Sequence, residues 1–105
     1  DRLETIIDTG FDGIECLDPP PLGNVELADA VRRIGHRAFI KGNIDPVHTL
    51  LKGTAEQVRA DVIRRIEIGM QAPGFILSTA CAIAPDTPAA NVMLLRELVE
   101  RYGRY

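Results

Sequence analysis

The chain has 105 residues, fewer than a typical domain of about 150, so it holds at most one domain. Apolar residues make up 46% and charged residues 26%, a composition typical of soluble globular proteins rather than disordered ones. The net charge of −3 offers no basic field to nucleic acid or an anionic membrane, and no apolar run is long enough for a transmembrane helix. Because two cysteines are too few for a disulfide framework, we expect a reducing, cytoplasmic location.

The first ten residues have the apolar spacing of a helix. Leu3, Ile6 and Ile7 recur at helical intervals, and Gly10 follows as a residue that ends a helix. No capping residue precedes this segment, so we expect the helix to begin upstream of the chain. A β-strand is predicted at residues 13–17.

A loop and a second helix follow the first strand. Three prolines within residues 18–23 exclude both a helix interior and a central strand. Asn24 is a candidate N-cap for a helix that runs to Ile34 and ends at Gly35. The predicted buried face of that helix comprises Leu27, Val31 and Ile34.

The middle of the chain predicts a strand, a turn and a long helix. The strand covers residues 38–42, the turn residues 43–46, and a short helical piece residues 47–51. Thr54 and Gln57 form a capping box for a helix that ends at Gly69. Its predicted inward residues are Val58, Val62, Ile63 and Ile66, and its predicted solvated residues are Arg59, Arg64 and Arg65.

The last part of the chain predicts a third strand and a fourth helix. The strand covers residues 74–78 and leads into a loop at residues 79–86. Thr87 as N-cap and Pro88 as first helical residue predict the start of the helix. Its predicted buried stripe comprises Leu95, Leu98, Val99 and Tyr102.

The element order is therefore α-β-α-β-α-β-α, which predicts an α/β fold with three parallel strands joined by right-handed crossovers. A parallel sheet needs cover on both faces or closure into a barrel, and three strands cannot close one. We therefore expect residues 1–105 to be the C-terminal part of a single (β/α)8 TIM-barrel domain. As an isolated fragment it would expose two strand edges and oligomerise through them.

Three segments carry a resemblance to a known family. Residues 42–46 read Gly-Asn-Ile-Asp-Pro, residues 75–81 read Phe-Ile-Leu-Ser-x-x-Cys, and residues 85–92 read Pro-Asp-Thr-Pro-x-x-Asn-Val. In this order and spacing the chain resembles the C-terminal third of the uroporphyrinogen decarboxylase superfamily. The resemblance implies an eight-stranded barrel whose strands six, seven and eight lie in this chain.

Cys81 separates the two chemistries of that superfamily. The decarboxylases carry Gly-His-Gly in the loop after the last strand, where this chain has Ala80-Cys81-Ala82. A cysteine there resembles the cobamide-linked methyltransferase branch, in which it is the last ligand of a His-x-Cys…Cys zinc site. The resemblance thus implies that Cys81 binds zinc, that the other ligands lie upstream of Asp1, and that a corrinoid protein carries the methyl group. Zinc stabilises the thiolate of a substrate bound at its open position.

Other residues at the ends of the predicted strands are open to two interpretations. Asn43 and Asp45 either stabilise the turn after the second strand or contact a bound ligand or cofactor. Cys16 also ends a strand, but a structural role is favoured for it. Glu15 and Lys41 are charges inside apolar strands, and we expect them to pair inside the barrel.

The remaining candidates carry little functional signal. His36 is expected to be exposed, and His48 is interpreted as a surface or capping histidine, with neither at metal-ligand spacing. No residue of the chain is assigned a catalytic role by its pattern. All arginines fall on predicted helices or near their ends, whereas recognition of a substrate with many carboxylates should need arginine at the barrel mouth.

The sequence thus favours an enzyme that transfers methyl groups between a corrinoid and a thiol or a methoxylated or methylated small substrate. The first alternative is decarboxylation of a porphyrinogen in tetrapyrrole biosynthesis, a lyase reaction. The second is an inactive truncated fragment. The residues favour no methyl donor, acceptor or direction of transfer.

Overall fold

The computed structural model describes residues 2–105, in which helices and strands alternate. The elements are α1 (Leu3–Asp8), β1 (Gly13–Cys16), α2 (Leu27–Ile34), β2 (Phe39–Ile44), a π-helical segment (Pro46–Leu51), α3 (Ala55–Gly69), β3 (Phe75–Thr79) and α4 (Ala89–Tyr102). The predicted order is confirmed. No helix within residues 2–105 is long and apolar enough to cross a membrane.

The three strands form one parallel sheet in the order β1-β2-β3. In its register Cys16 lies opposite Gly42, and Gly42 lies opposite Leu77. All three strands therefore end at the same edge of the sheet, as the alternation of strands and helices predicts.

The helices cover one face of this sheet and leave the other open. The side chains of Ile40 and Ile44 point towards the helices and are completely buried. One apolar cluster packs α1 and α2 against the first half of the sheet, and a second packs α3 and α4 against β2 and β3. On the opposite face Phe39 and Ile76 remain about half exposed. The open face is apolar in part, which is the property of a sheet that lines the inside of a barrel.

The predicted start of α2 and the predicted end of β2 are wrong. Asn24 does not cap α2; the helix begins at Leu27, and Glu26 occupies the N-cap position without a side-chain hydrogen bond. The reason is that Gly23 N–H and Val25 N–H donate to the carbonyls of Pro19 and Asp18, which keeps this segment in the loop. Residues 43 and 44, predicted as turn, belong to β2 because they pair with Ser78 and Thr79 of β3.

The start and the buried stripe of α4 also differ from expectation. Pro88, not Thr87, occupies the N-cap position, and Thr87 Oγ1 is buried without a hydrogen-bond partner among the described residues. Val99 and Tyr102 were predicted to be inward but are more than one third exposed. Leu98 is buried as predicted and Leu95 packs against the apolar cluster, while Asn91 and Leu94 complete the buried stripe.

Asn91 joins the start of α4 to the end of the π-helical segment. Its side chain is 5% exposed, and its Nδ2 donates to the carbonyl oxygens of Leu50 at 2.9 Å and of Gly53 at 3.0 Å. These two carbonyls lie where a π-helix ends before α3 begins, so the helices leave them without regular partners. A buried asparagine therefore completes the hydrogen bonding of the connection between β2 and α3.

We expect Asn91→Ala to destabilise the complete protein by about 2 kcal/mol, since two carbonyls lose their donor and one of them is buried. Urea unfolding measures the loss, and hydrogen exchange should show increased opening at residues 50–54. Met93→Ala, on the exposed side of the same helix, is the matched control. Equal stability of the two variants would contradict this role for Asn91.

Candidate functional site

The carboxyl edge of the sheet brings the ends of β2 and β3 together. Ala80 N–H donates to the carbonyl oxygen of Ile44 at 2.8 Å. Asp45 and Cys81 each follow directly after one of these two residues in the chain. The hydrogen bond continues the pairing by one residue, so that Asp45 lies opposite Ala80 and Cys81 follows at the same edge, where the active sites of parallel α/β barrels lie.

Asn43 is buried beneath this edge, and all of its amide groups have partners. Its Nδ2 donates to the carbonyls of Leu17 at 2.8 Å and of Val25 at 3.2 Å, and its Oδ1 accepts from Arg65 Nη1. Strict alternation would place Asn43 on the same face as Lys41, but these contacts turn it towards the helices. The side chain thus holds the loop after β1 against β2 and α3.

Arg65 was predicted to be solvated, and this prediction is wrong. Its side chain is only 15% exposed and donates through Nε to Asp61 at 2.9 Å in addition to the bond with Asn43. The carboxylate and the carboxamide compensate the guanidinium for the loss of water. Arg65 therefore helps to hold the side chain of Asn43 in place. The spacing of charges along α3 does not reveal this role, because the contact is made with another element.

Asp45 caps the π-helical segment and also holds a histidine. Its Oδ1 accepts from the backbone N–H groups of Val47 and His48, each at 2.8 Å, and its Oδ2 lies 2.8 Å from His48 Nδ1. Because an ionised carboxylate only accepts, Nδ1 carries the proton in this contact. Burial alone would raise the pKa of Asp45, but the hydrogen bonds from His48 and Val47 lower it below its usual 3.8.

His48 itself is half exposed, with 49% of its side chain accessible. The sequence interpretation of His48 as a surface or capping histidine agrees with this position, yet it did not include the contact with Asp45. The sequence does contain a signal for this contact: Asp45 and His48 are three residues apart, directly after the end of a strand. His36, as predicted, is exposed and lies before β2, at the opposite end of the sheet.

The two cysteines stand at the ends of the outer strands, and both are exposed free thiols. Cys16 and Leu17 have positive φ angles of 77° and 54°, so the chain turns sharply at the end of β1. Partial burial and the neighbouring Glu15 raise the pKa of the Cys16 thiol, and Cys81 adds to this increase. The Cys16 thiol therefore remains protonated at neutral pH.

Glu15 and Lys41 pair across β1 and β2 as predicted, with 2.8 Å between Lys41 Nζ and Glu15 Oε2. The pair lies on the open face, with 41% of the lysine and 62% of the glutamate side chain accessible, so the expected burial inside a barrel is not reached in this chain. The hydrogen bond lowers the pKa of Glu15 and raises that of Lys41. Both groups are thus charged at neutral pH.

Within residues 2–105 no three His, Cys, Asp or Glu side chains converge in a way that could hold a metal ion. A thiol is a donor type that zinc prefers, and Cys81 is accessible at the edge where catalytic groups lie. The described residues therefore fit one position of a zinc site and do not complete it.

Comparison with known proteins identifies the family. The family model for uroporphyrinogen decarboxylase (URO-D) matches residues 2–102. The chain belongs to the uroporphyrinogen decarboxylase family. Among curated relatives, a uroporphyrinogen decarboxylase of Chromohalobacter salexigens is 34% identical over 95% of the chain and 28% of its own length. A methylcobamide:CoM methyltransferase MtaA of Methanosarcina barkeri is 31% identical over 95% of the chain and 27% of its own length.

A solved structure of similar fold supports the architecture. A methyltransferase from Methanosarcina mazei superposes with a TM-score of 0.78 and 28% identity, over 98% of the chain and 28% of that protein. The expected α/β fold, part of a TIM barrel, is confirmed. The chain spans little more than a quarter of the length of these relatives, and both decarboxylases and methyltransferases are among them.

The lowered pKa of Asp45 makes the Pro46–Leu51 segment sensitive to acid. Since the unfolded carboxyl keeps its usual pKa of 3.8, the stabilisation is complete above that pH and is lost as the pH falls through the lower folded value. We expect protection of the Val47 and His48 amides, corrected for intrinsic exchange, to be constant from neutral pH to about 4 and to fall below it. Asp45→Asn keeps an oxygen acceptor for these amides and should abolish the pH dependence.

The matched control is Asp12→Asn, which replaces an exposed acid in the connection between α1 and β1. This variant should retain the wild-type acid profile at Val47 and His48. An acid-induced loss of protection that persists in Asp45→Asn would show that another group controls the segment.

Proposed function

We propose that the complete protein carrying this chain is a zinc-dependent methyltransferase that works with a corrinoid protein, and that residues 1–105 form the C-terminal part of its barrel. The observation that carries the proposal is Cys81, an exposed thiol beside Asp45 at the carboxyl edge of the sheet, in the loop where the decarboxylases have Gly-His-Gly. The similarity to methyltransferases from two Methanosarcina species supports it. A cytoplasmic location belongs to the same proposal.

In this proposal Cys81 is one zinc ligand, and the other two belong to a His-x-Cys motif on the preceding strand of the barrel. Bound zinc would lower the pKa of a substrate thiol, so that the nucleophilic thiolate forms near neutral pH. The substrate is a thiol or a methylated small molecule. Asn43 and Asp45 remain candidates for ligand contacts; because the Asn43 amide is fully engaged by Leu17, Val25 and Arg65, it would act on a ligand by holding the edge in place.

The test is zinc content of the complete protein for wild type, Cys81→Ala and Cys16→Ala. We expect about one zinc per chain in the wild type and in Cys16→Ala, and its loss or marked weakening in Cys81→Ala, because removal of one of three protein ligands opens the site. Methyl transfer from methylcobalamin to a small thiol, followed by the corrinoid absorbance, should fall in parallel. Zinc content that is equal in all three proteins would remove Cys81 from the site.

Decarboxylation of a porphyrinogen is the second candidate, because relatives with the name uroporphyrinogen decarboxylase match the chain about as well as the methyltransferases do. The arginines argue against it, since all of them lie on helices or near helix ends and most are paired with carboxylates there. A wild type without zinc that decarboxylates uroporphyrinogen would establish this candidate and overturn the methyltransferase proposal.

The third candidate is an inactive fragment. β1 and β3 each have one edge without a paired strand among the described residues, and the open face exposes Phe39 and Ile76. We expect the 105-residue chain alone to associate into oligomers, because unpaired edges and apolar surface favour strand pairing between copies. Light scattering after size exclusion measures the mass, with the complete protein as control. A stable monomer of the isolated chain would contradict this prediction.

A further inference from the structure

We propose that His48, positioned by Asp45, is the proton acceptor for a substrate thiol that binds beside Cys81. This inference rests on the proposed methyl transfer, and it assigns a catalytic role to a residue of the chain that no motif marked. It follows from three features: the place of His48 at the barrel mouth, the hydrogen bond by which Asp45 holds its ring, and the exposure of half of its side chain.

The first feature is location. The hydrogen bond between Ile44 O and Ala80 N places Asp45 opposite Ala80, the residue before Cys81, so that both lie on adjacent strand ends at the carboxyl edge. His48 Nδ1 lies 2.8 Å from the Asp45 carboxylate. The imidazole therefore stands at the same edge of the sheet as Cys81, on the segment that follows β2, whereas His36 lies at the other end.

The second feature is the tautomer. Asp45 is buried, its side chain only 6% exposed, and the amides of Val47 and His48 hold its other oxygen. The carboxylate accepts the Nδ1 proton, so Nε2 of the neutral ring carries a lone pair. A fixed carboxylate that orients a histidine and stabilises its protonated form is the arrangement by which histidines serve as general bases.

The third feature is accessibility. Half of the His48 side chain is exposed, while the Nδ1 side is turned to Asp45. In the proposed step the substrate S–H bond breaks, sulfur keeps the electron pair, and a new N–H bond forms at Nε2. The imidazolium then returns the proton to water. Atoms and charge balance without any further reactant.

Charged and polar groups of three elements lie on or against this segment, and Lys52 occupies its C-cap position. On α3, which packs against the segment, Asp61 is held by Arg65 and lies 3.4 Å from the Thr49 hydroxyl. From α4, the neutral amide of Asn91 donates a hydrogen bond to the Leu50 carbonyl, and Leu94 and Leu98 belong to the same apolar cluster as Leu50. Among the described residues, Asp45 is thus the ionised group bonded to the His48 ring.

The test compares His48→Ala, His48→Gln and the control His36→Ala in the complete protein, by methyl transfer from methylcobalamin to a small thiol. We expect both His48 variants to lose about 100-fold or more in rate, the usual effect of removing a general base, and His36→Ala to match the wild type. Added imidazole should restore part of the rate of His48→Ala only. His48→Gln keeps an amide donor for Asp45, which separates proton transfer from support of the fold.

A second readout does not depend on turnover. Nitrogen-15 NMR of labelled histidine should show the Nδ1–H tautomer for His48 in the wild type and its loss in Asp45→Asn. A wild type that transfers methyl groups while both His48 variants match His36→Ala would overturn the role of His48 and leave the proposed function intact. A wild type without methyl transfer would overturn both proposals.

Discussion

The buried carboxamide of Asn43 holds three parts of the chain in one arrangement. Its donors pin the carbonyls of Leu17 and Val25, and its oxygen binds the guanidinium of Arg65 on α3. Loss of any one partner would leave a buried polar group unsatisfied, which costs on the order of 1–3 kcal/mol. The loop after β1, the end of β2 and α3 are therefore joined through one side chain. The same hydrogen bonds hold the carboxyl edge of the sheet, which lies directly above them, in place.

The closely packed backbone at the end of β2 imposes a second constraint. Gly42 has a φ angle of +153°, and a Cβ atom there would lie 2.7 Å from the carbonyl oxygen of Cys16. Any larger residue would separate β1 from β2 directly below the carboxyl edge. The Gly-Asn-Ile-Asp-Pro segment thus combines three structural requirements: a close approach of two strands, a buried polar anchor and a cap for the segment that carries His48.

Much of the fold could be predicted from local patterns. The alternation of helices and strands and the capping box of Thr54 and Gln57 are present, because spacing and composition within short segments determine them. The pair of Glu15 and Lys41 is also present, because the predicted parallel register sets the two charges side by side. The wrong prediction for Asn24 comes from hydrogen bonds within the loop itself, and that for Arg65 from its contact with the distant Asn43, to which no local pattern refers.

The candidate site shows the same division. The position of Cys81 at the end of β3 follows from the strand pattern, and its accessibility agrees with a ligand role. The ring orientation of His48 does not follow, since it depends on which oxygen of Asp45 remains after the backbone amides have taken the other. By residue type alone an aspartate before proline indicates a turn, and only the folded segment shows that the same carboxylate also orients an imidazole.

The open face of the sheet sets the limit of what this chain can do alone. Its charges, Glu15 and Lys41, neutralise each other across two strands, and Phe39 covers the backbone of Gly13 on the same face. Exposure to water stabilises neither the ion pair, which water weakens, nor the apolar ring of Phe39. Both suit the interior of a barrel closed by further strands. Closure would also enclose the carboxyl edge, so that Cys81 and His48 would border a shared cavity rather than bulk solvent. The chemistry proposed for this edge therefore requires the complete barrel, although the residues that orient it lie within these 105.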